Sequence, residues 1–425
     1  MLDIKFIREN SDKVKKAMSD RGLKINLDEL LSLDEQRRKL LVEGEQLKHK
    51  KNVTSDEVGK LLKAKKDAKD KIANMKAVSQ EIGEIDKEVV DISQKMTKIA
   101  YSIPNIPHSS IPIAKDASGN KVVRDWGKLP KFDFKPRSHI ELVELLDIVD
   151  LPRATKITGG GFVLYKKFGA RLERALINFM LDLHTKKHGY TEIFPPFLVN
   201  RDSMTNTGQL PNLEEDMYRL KDDDLFLVPT AEVPVTNIFK NEILDEEKLP
   251  IYYTAYTACF RREAGSYGKD TKGLARVHQF DKVELVKFVK PETSYDELEK
   301  LLGDAEEVLQ LLCLPYRVVM LCTADLSFAA SKCYDIELWA PGTDKYLEVS
   351  SCSNFEDFQT RRANIRYKSK GSKKTQHVHT LNGSGVALAR LVIALLEVYQ
   401  QEDGSVMIPE ALRPYVDSVE KITPS

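Results

Sequence analysis

The chain has 425 residues, of which 42% are apolar and 31% are charged, and its 65 basic residues balance its 65 acidic residues. This length allows two or three domains with buried cores, whereas the balanced charge gives no argument for nucleic acid binding. No apolar run is long enough to cross a bilayer, and residues 1–5 lack the layout of a signal peptide. We therefore expect a cytoplasmic location and no membrane partner. The five cysteines form no C-x-x-C pair, so we expect no zinc.

A stretch without proline covers residues 27–100 and predicts long helices that have no core of their own. Apolar residues recur at alternating steps of four and three over residues 78–99, which is the spacing of a coiled-coil seam. A looser run at the same spacing begins at Leu30, and Arg37 and Gly44 interrupt its apolar face. Two such segments fold most simply as an antiparallel hairpin.

We expect this hairpin to turn within residues 52–70, where the apolar periodicity weakens, and to project its tip into solvent. Positive charge gathers toward the tip, and it includes Lys60, Lys63, Lys65 and Lys66. A solvated helical face and a phosphate-binding surface would both account for these lysines. The segment alone leaves both interpretations open.

Repeated prolines over residues 104–112 cannot continue a helix and mark the end of the arm. Further along, residues 168–183 place their apolar side chains on one helical face, and Gly189 ends that helix. The remaining sequence alternates short β-branched or aromatic runs with loops and a few helices. This pattern predicts an α+β protein in which an antiparallel sheet is flanked by helices.

Two segments in the second half of the chain combine charge with strand spacing. Phe260-Arg261-Arg262-Glu263 and Phe280-Asp-Lys-Val-Glu284 flank a loop over residues 264–277. On a strand, residues two apart share a face, so an antiparallel pair would present a cation, two carboxylates and an aromatic ring on one surface. A surface ion pair between Arg261 and Glu263 is the alternative. The loop adds residues that suit a phosphate site, namely Gly265, Gly268, Gly273, Lys269, Lys272 and Arg276.

The segment Leu381–Glu397 combines glycines with a strongly apolar run. We expect Gly383 and Gly385 to open a helix, with Arg390 in its first turns and within reach of an anion at the helix N-terminus. An arginine in so apolar a run needs a fixed anionic partner. A snorkelling arginine at a domain surface is the alternative.

These segments resemble the three signature motifs of class II aminoacyl-tRNA synthetases, the first being the helix over residues 168–183 with the strand that ends at Pro196. The particular residues in these motifs, together with the arm, make the whole chain similar to the seryl-tRNA synthetase family. The resemblance implies a coiled-coil arm followed by a class II catalytic domain. We assign residues 1–103 to a tRNA-binding N-terminal domain, 104–160 to a connecting region and 161–425 to the catalytic domain.

The resemblance also implies the reaction and the partners. The chain would use ATP and Mg²⁺ to activate L-serine, and would transfer the seryl group to the 3′-terminal ribose of tRNA(Ser), and of tRNA(Sec) where present. The four lysines named above would contact the tRNA, and Pro196 would lie in a homodimer interface. No residue stands out as a general base for the transfer.

The implied roles of individual residues follow the motifs. Arg261 and Arg390 would be catalytic, and would hold the α- and γ-phosphates of ATP. Adenine would bind Glu263 and the Val277 backbone and stack on Phe280. The implied ATP-binding set is Arg261, Arg262, Glu263, Val277, Phe280, Glu348, Val349, Ser350, Ser351 and Arg390, in which Glu348 and Ser351 would contact Mg²⁺ through hard oxygen ligands.

The implied serine pocket is small and polar. Thr230 and Glu232 would face the ammonium group of serine, and Glu284 and Ser384 would face its hydroxyl group. Such a pocket would reject alanine, because its own polar groups would be left unpaired. The full implied set is Thr230, Ala231, Glu232, Arg261, Glu284 and Ser384.

Two positions depart from the family pattern: Ala324 stands where glycine is usual, and Leu347 stands where an arginine often precedes Glu348. Two other kinds of protein share this ancestry. A relative that loads an amino acid onto a carrier protein would lack the arm, and a noncatalytic RNA-binding or coiled-coil scaffold would have broken motifs. This sequence has both the arm and the motif residues.

Overall fold

The computed structural model describes residues 1–264 and 273–424, which form two compact units. The first unit comprises Met1–Ser19 and Leu23–Pro104, and the second comprises Asp20–Gly22 and the chain from Asn105 onward. Four of the loop residues named above, Gly265, Gly268, Lys269 and Lys272, lie outside the described residues.

The first unit is helical. Its helices are α1 (Ile4–Glu9), α2 (Ser11–Asp20), α3 (Leu27–Lys63) and α4 (Lys69–Tyr101). The side chain of Asn26 caps α3 by accepting the backbone N–H groups of Asp28 and Glu29. Lys48 of α3 lies 3.0 Å from Asp86 of α4, and Glu57 pairs with Lys71, so the two long helices run antiparallel. The predicted helical hairpin is therefore confirmed, with its turn at residues 64–68.

The seam between α3 and α4 follows the predicted spacing. Most of the apolar positions of α4 are buried, whereas Val89 and Ile99 are half-buried; the buried ones are Val78, Ile82, Ile85, Ile92 and Met96. Gly44, an interruption in the sequence pattern, is buried where a Cβ atom would lie 3.4 Å from Ile85 Cγ2. The other interruption, Arg37, is 3.8 Å from the buried carboxylate of Asp34. Both interruptions therefore have a packing or charge partner within the arm.

The second unit is built on an eight-stranded sheet. Its strand order is β1-β8-β9-β10-β13-β7-β6-β2, in which only β2 and β6 are parallel. Smaller sheets are β12-β11-β5, β14-β15 and β3-β4. The strands are β1 (Lys121–Trp126), β2 (Thr191–Ile193), β3 (Leu198–Asn200), β4 (Leu225–Leu227), β5 (Ile243–Asp245), β6 (Ile251–Phe260), β7 (Gln279–Val289), β8 (Tyr316–Met320), β9 (Lys332–Ala340), β10 (Lys345–Asn354), β11 (Arg366–Lys368), β12 (Thr375–His377), β13 (His379–Ala387), β14 (Val406–Met407) and β15 (Lys421–Ile422).

Helices pack against this sheet and complete the main core. They are α5 (His139–Leu145), α6 (Leu151–Thr158), α7 (Phe168–Lys186), α8 (Arg201–Thr207), α9 (Glu232–Thr236), α10 (Ser294–Leu311), α11 (Phe358–Ala363) and α12 (Leu388–Tyr399). Leu176 of α7, Leu301 of α10 and Leu391 of α12 are fully buried in one cluster with the apolar side chains of β7. The predicted α+β class, with a mostly antiparallel sheet flanked by helices, is confirmed.

The glycines of the third motif correct one prediction. Gly383 and Gly385 lie within β13, and the helix that we expected them to open, α12, begins only at Leu388. A Cβ atom on Gly383 would lie 2.6 Å from Leu301 Cδ2, so this glycine lets α10 pack closely on the strand. The β7–β13 register shifts between Ser384 and Val386, around Gly385. Close packing and a bulge, rather than the start of a helix, account for these glycines.

The arm offers a direct test of its packing. Gly83 in α4 has no atom within 4 Å of the position of a Cβ, so Gly83→Ala should stabilise the arm by about 0.5–1 kcal/mol through helix propensity. Gly44→Leu should instead destabilise the arm, by about 1–3 kcal/mol, because the new side chain would displace Ile85. Urea denaturation followed by circular dichroism measures both changes. A stabilising Gly44→Leu would contradict the described seam.

Candidate active site

A cavity of about 510 Å³ gathers most of the motif residues in the second unit. Its walls come from β7, β10, β13, the start of α12 and the segments that flank β6 and β7. The predicted site residues that line it are Thr230, Glu232, Arg261, Glu263, Val277, Phe280, Glu348, Val349, Ser351, Ser384 and Arg390. Residues up to 160 positions apart in the sequence therefore line one cavity. Those on β7, β10 and β13 meet because these strands are neighbours in the sheet.

The other predicted residues lie behind or beside the cavity. The Glu284 carboxylate accepts a hydrogen bond from Thr230 Oγ1 at 2.7 Å, one contact away from the wall. Ser350 is buried, and its hydroxyl donates to the Ser384 carbonyl at 2.6 Å, so it supports β13. Ala231 is buried in a separate apolar cluster. Arg262 is exposed, and its backbone N–H donates to the Asp216 carbonyl.

The segment after β6 differs from the expected strand. β6 ends at Phe260, and Glu263 has a φ of +51°, so alternation along a strand does not set the directions of Arg261 and Glu263. Asp216 holds the turn instead, because its carbonyl accepts the Arg262 N–H and its carboxylate accepts the Ala264 N–H, each at 2.8 Å. Both side chains still reach the cavity.

The contacts of Arg261 and Glu263 define one end of the cavity. Arg261 Nε donates to the Pro229 carbonyl at 3.3 Å, and its guanidinium lies 5.3 Å from the centre of the Phe280 ring. Glu263 accepts from Arg276 Nε at 2.5 Å. A cation, an ion pair and an aromatic face thus lie together, and they can hold a phosphate and a flat ring.

Beside the same cavity, two carboxylates lie close to one another and out of solvent. Lys282 Nζ lies 2.6 Å from Glu284 Oε2 and donates to Thr230 Oγ1 at 3.0 Å. The Asn382 amide bridges the two acids, because it donates to Glu232 Oε2 at 3.0 Å and to Glu284 Oε1 at 3.3 Å. A buried pocket with two acidic groups and one lysine is suited to a small ligand that brings a positive charge.

The pKa of Glu232 reflects this setting. Burial chiefly, and the neighbouring Glu284 carboxylate next, raise it to about 7, although a hydrogen bond from Gln359 and the charges of Lys282 and Arg261 oppose the shift. The Gln359 amide donates to Glu232 Oε1 at 2.6 Å. Glu232 therefore gains or loses its charge near neutral pH. A positively charged ligand group beside it would favour the ionised carboxylate.

Helix α12 and strand β10 form another part of the cavity. Arg390, the third residue of α12, donates from Nε to the Ala275 carbonyl at 3.2 Å and from Nη1 to the Glu348 carbonyl at 2.8 Å. Ser351 faces Asp335 across the β9–β10 pair. Burial first, and then the Glu348 charge, raise the pKa of Asp335 well above its usual range. Crowded carboxylates beside a hydroxyl suit a hard cation such as Mg²⁺, which prefers oxygen ligands.

Several residues of the cavity received no role from the sequence. Strand alternation put Lys282 on the face of Glu284 but gave it no role, and it could also have identified Asn382, which shares a face with Ser384. Arg276 was predicted only as loop charge. Gln359 had no local signal, because α11 meets Glu232 only through the tertiary fold. Neither Ala324 nor Leu347 lines the cavity: Ala324 is exposed, and Leu347 packs against the main core.

The remaining predicted positions lie on surfaces. Lys60 and Lys63 belong to the last turn of α3, Lys65 and Lys66 to the turn that follows, and all four are exposed. Pro196 is exposed beyond β2. Throughout residues 1–264 and 273–424, no cluster of three His, Cys, Asp or Glu side chains that could hold a metal ion is present. No helix of the described chain has the length and apolar character needed to span a membrane.

Comparison with known families covers both units. The model of the seryl-tRNA synthetase N-terminal domain matches residues 1–107, and the model of the tRNA synthetase class II core domain (G, H, P, S and T) matches residues 216–399. The serine–tRNA ligase of Carboxydothermus hydrogenoformans is 60% identical over 98% of each chain. That of Caldanaerobacter subterraneus subsp. tengcongensis is 59% identical over 99% of this chain and 100% of its own.

Solved structures agree with these sequence matches. The seryl-tRNA synthetase of Pyrococcus horikoshii, complexed with ATP, superposes with a TM-score of 0.93 at 39% identity and covers 100% of both chains. The cytoplasmic serine–tRNA ligase of Naegleria fowleri, in complex with AMP, has a TM-score of 0.88 at 30% identity, covering 100% of this chain and 99% of that one. The predicted resemblance is confirmed, and the chain belongs to the seryl-tRNA synthetase family of class II aminoacyl-tRNA synthetases.

Proposed function

We propose that the chain activates L-serine with ATP and transfers the seryl group to the 3′-terminal ribose of tRNA(Ser). The observation that carries the proposal is one cavity lined by Arg261, Phe280 and Glu232, with the Glu284 carboxylate directly behind its wall. Such a cavity can hold a nucleotide and the ammonium group of a small amino acid side by side. Family membership supports the same reaction.

In the first step, an oxygen of the serine carboxylate attacks the α-phosphorus of ATP, and the bond to pyrophosphate breaks. Arg261 meets the negative charge that develops on the α-phosphate, and Arg390 holds the departing pyrophosphate end. Adenine stacks on Phe280, while Glu263 and the Val277 backbone bind its edge. Arg262, Val349 and Ser350 support these positions from around the site.

Serine is recognised through its charge and its hydroxyl group. Its ammonium supplies the positive charge that balances Glu232, with Thr230 and the adjoining Ala231 shaping that side of the pocket. Glu284 and Ser384 read the hydroxyl. Lys282 and Thr230 bind one oxygen of Glu284 and the Asn382 amide donates to the other, so the carboxylate is held rigidly where the serine hydroxyl would donate to it.

The oxygen donors of Glu348 and Ser351 fit a magnesium ion that arrives with ATP. When bound, the ion would neutralise phosphate charge and orient the phosphates. The Arg390–Glu348 contact, at 3.4 Å, keeps that carboxylate at the phosphate end of the cavity.

The transfer step needs the arm and a second copy of the chain. The exposed lysines near the α3–α4 turn would neutralise phosphates of the tRNA. Exposed Pro196 and Phe194, the latter 76% exposed, give the first motif an uncovered apolar surface that suits a homodimer interface. Because tRNA charging serves protein synthesis, we propose a cytoplasmic location.

Removing the guanidinium that meets the α-phosphate tests the chemistry. Arg261→Ala should lower serine-dependent ATP–pyrophosphate exchange by about a hundredfold or more, because a transition-state contact is lost. Arg153→Ala, on an α6 side chain that is 71% exposed, is the matched control and should leave exchange unchanged. Thermal unfolding should be the same in both. A folded Arg261→Ala protein with near wild-type exchange would contradict the role of Arg261.

The pKa of Glu232 predicts how serine binding depends on pH. Below about pH 7 the carboxyl becomes protonated, so the KM for serine should rise by up to about tenfold per pH unit while the KM for ATP stays constant. Glu232→Gln should bind serine weakly and remove this dependence. Because folding raises this pKa above 4.5, the stability that protonated Glu232 contributes is present below pH 4.5 and is lost as the pH rises through about 7. A Glu232→Gln variant that kept the wild-type KM profile would assign the titration to another group.

The arm lysines can be tested separately from the first step. Replacing Lys60, Lys63, Lys65 and Lys66 by glutamine should weaken tRNA binding and flatten its salt dependence by about one unit of slope for each lysine that contacts a phosphate. Serine-dependent exchange should not change. A control with the same loss of charge replaces the exposed Lys5, Lys13, Lys16 and Lys24. Equal tRNA affinities in the two quadruple variants would show that the tip lysines are only a solvated face.

A further inference from the structure

His139 lies outside the cavity but contacts Leu274, a residue that lines it. It is the first residue of α5, in the stretch that the sequence marks only as a connecting region, and it is 4% exposed. Its Nδ1 lies 3.0 Å from Glu397 Oε1, and its Nε2 accepts the backbone N–H of Leu274 at 3.4 Å. Because a carboxylate only accepts, Nδ1 carries the proton and Nε2 is left as an acceptor.

Glu397 fixes this arrangement. The residue is fully buried in α12, and its carboxylate accepts the backbone N–H groups of His139 at 2.8 Å, Gly342 at 2.9 Å and Thr343 at 3.2 Å. These donors satisfy the buried charge and prevent the carboxylate from turning away from the imidazole. The ring therefore has one orientation and one tautomer.

The backbone at Gly273 packs closely against the imidazole ring of His139. Gly273 has a φ of +71°, and a Cβ at this position would lie 2.4 Å from His139 Nε2 and 2.9 Å from Ile140 Cγ1. A larger residue here would displace the side chains of His139 and Ile140 and would be strained by the positive φ. The contact is thus built from both sides, by the histidine and by the glycine.

The four residues that follow Gly273 line the cavity, from Leu274 to Val277. Helix α12 holds this segment at two points: Arg390 donates to the Ala275 carbonyl, and Glu397 acts on Leu274 through His139. Arg390 and Glu397 are seven residues apart, which is two helical turns, so they lie on the same side of α12. One helix therefore positions both Arg390 and the wall segment Leu274–Val277.

We propose that His139 is a positioning residue for ATP: its Nε2, oriented by Glu397, fixes Leu274–Val277 as the wall against which the nucleotide binds. The inference rests on the proposed function, since it assigns the wall to ATP. Serine binding is independent of this contact, because Glu232, Lys282 and Glu284 are held by other partners.

Two substitutions separate the two sides of the imidazole. His139→Asn keeps an amide donor where Nδ1 stands but has no acceptor for Leu274, whereas His139→Gln can place its amide oxygen near the position of Nε2. His139→Asn should raise the KM for ATP about tenfold, which corresponds to about 1.4 kcal/mol. The KM for serine should stay within about twofold of wild type, and His139→Gln should recover most of the ATP affinity. Serine-dependent exchange measures both constants.

Leu142→Ala is the matched control, because Leu142 is fully buried one turn along α5 and its apolar side chain supplies no hydrogen bond to Leu274–Val277. It should lower the melting temperature and leave the KM for ATP unchanged. Should His139→Asn fail to fold, Gly273→Ala tests the same contact and should also raise the KM for ATP. An unchanged KM for ATP in the folded His139→Asn or Gly273→Ala protein would overturn the proposal, as would an equal rise in Leu142→Ala. Equilibrium ATP binding to the same variants tests the role of His139 without relying on exchange. A wild-type protein that bound ATP but showed no serine-dependent exchange would refute the proposed function alone.

Discussion

The ion pair between Lys282 and Glu284 is the contact on which the pocket depends. Its atoms are 2.6 Å apart and almost out of solvent, and Thr230 joins both partners. Burying Glu284 without the lysine would leave an uncompensated charge in the sheet, at a cost of several kcal/mol. Lys282 balances one of the two acids only. Glu232 remains, and the ammonium group of the proposed substrate would balance its charge. The pocket thus has one more acidic group than lysines, and the ammonium group of the proposed substrate would supply the missing positive charge.

The antiparallel sheet makes this arrangement rigid. β10, β13 and β7 are neighbours, so residues from three distant segments meet over a few strand widths. Gly383 brings α10 onto the back of β13, and α12 packs into the same core. Side chains on well-packed strands keep their positions without ligand, which reduces the cost of ordering the site on binding. The Glu397–His139 contact extends the same principle to the segment 273–277.

Sequence spacing correctly predicted the features that depend on neighbouring residues along one helix or strand. The arm follows from the apolar steps of α4, and the shared face of Phe280, Lys282 and Glu284 follows from strand alternation. The glycines at 383 and 385 misled the prediction, because a glycine needed for close strand packing looks the same in sequence as one that opens a helix. Glu263 reached the cavity through a left-handed turn held by Asp216 rather than through a strand. The partners Gln359 and His139 could not be predicted, since only the tertiary fold brings them to Glu232 and Leu274.

The central claim is that the cavity pairs ATP with serine through the charge and the hydroxyl group of the amino acid. ATP–pyrophosphate exchange by the wild-type protein, measured with each standard amino acid in turn, tests this claim most directly. The account predicts exchange with serine, a much lower rate with alanine because Glu284 would be left without its hydroxyl partner, and none with larger amino acids. Exchange that is equally fast with alanine, or that requires an amino acid other than serine, would contradict it.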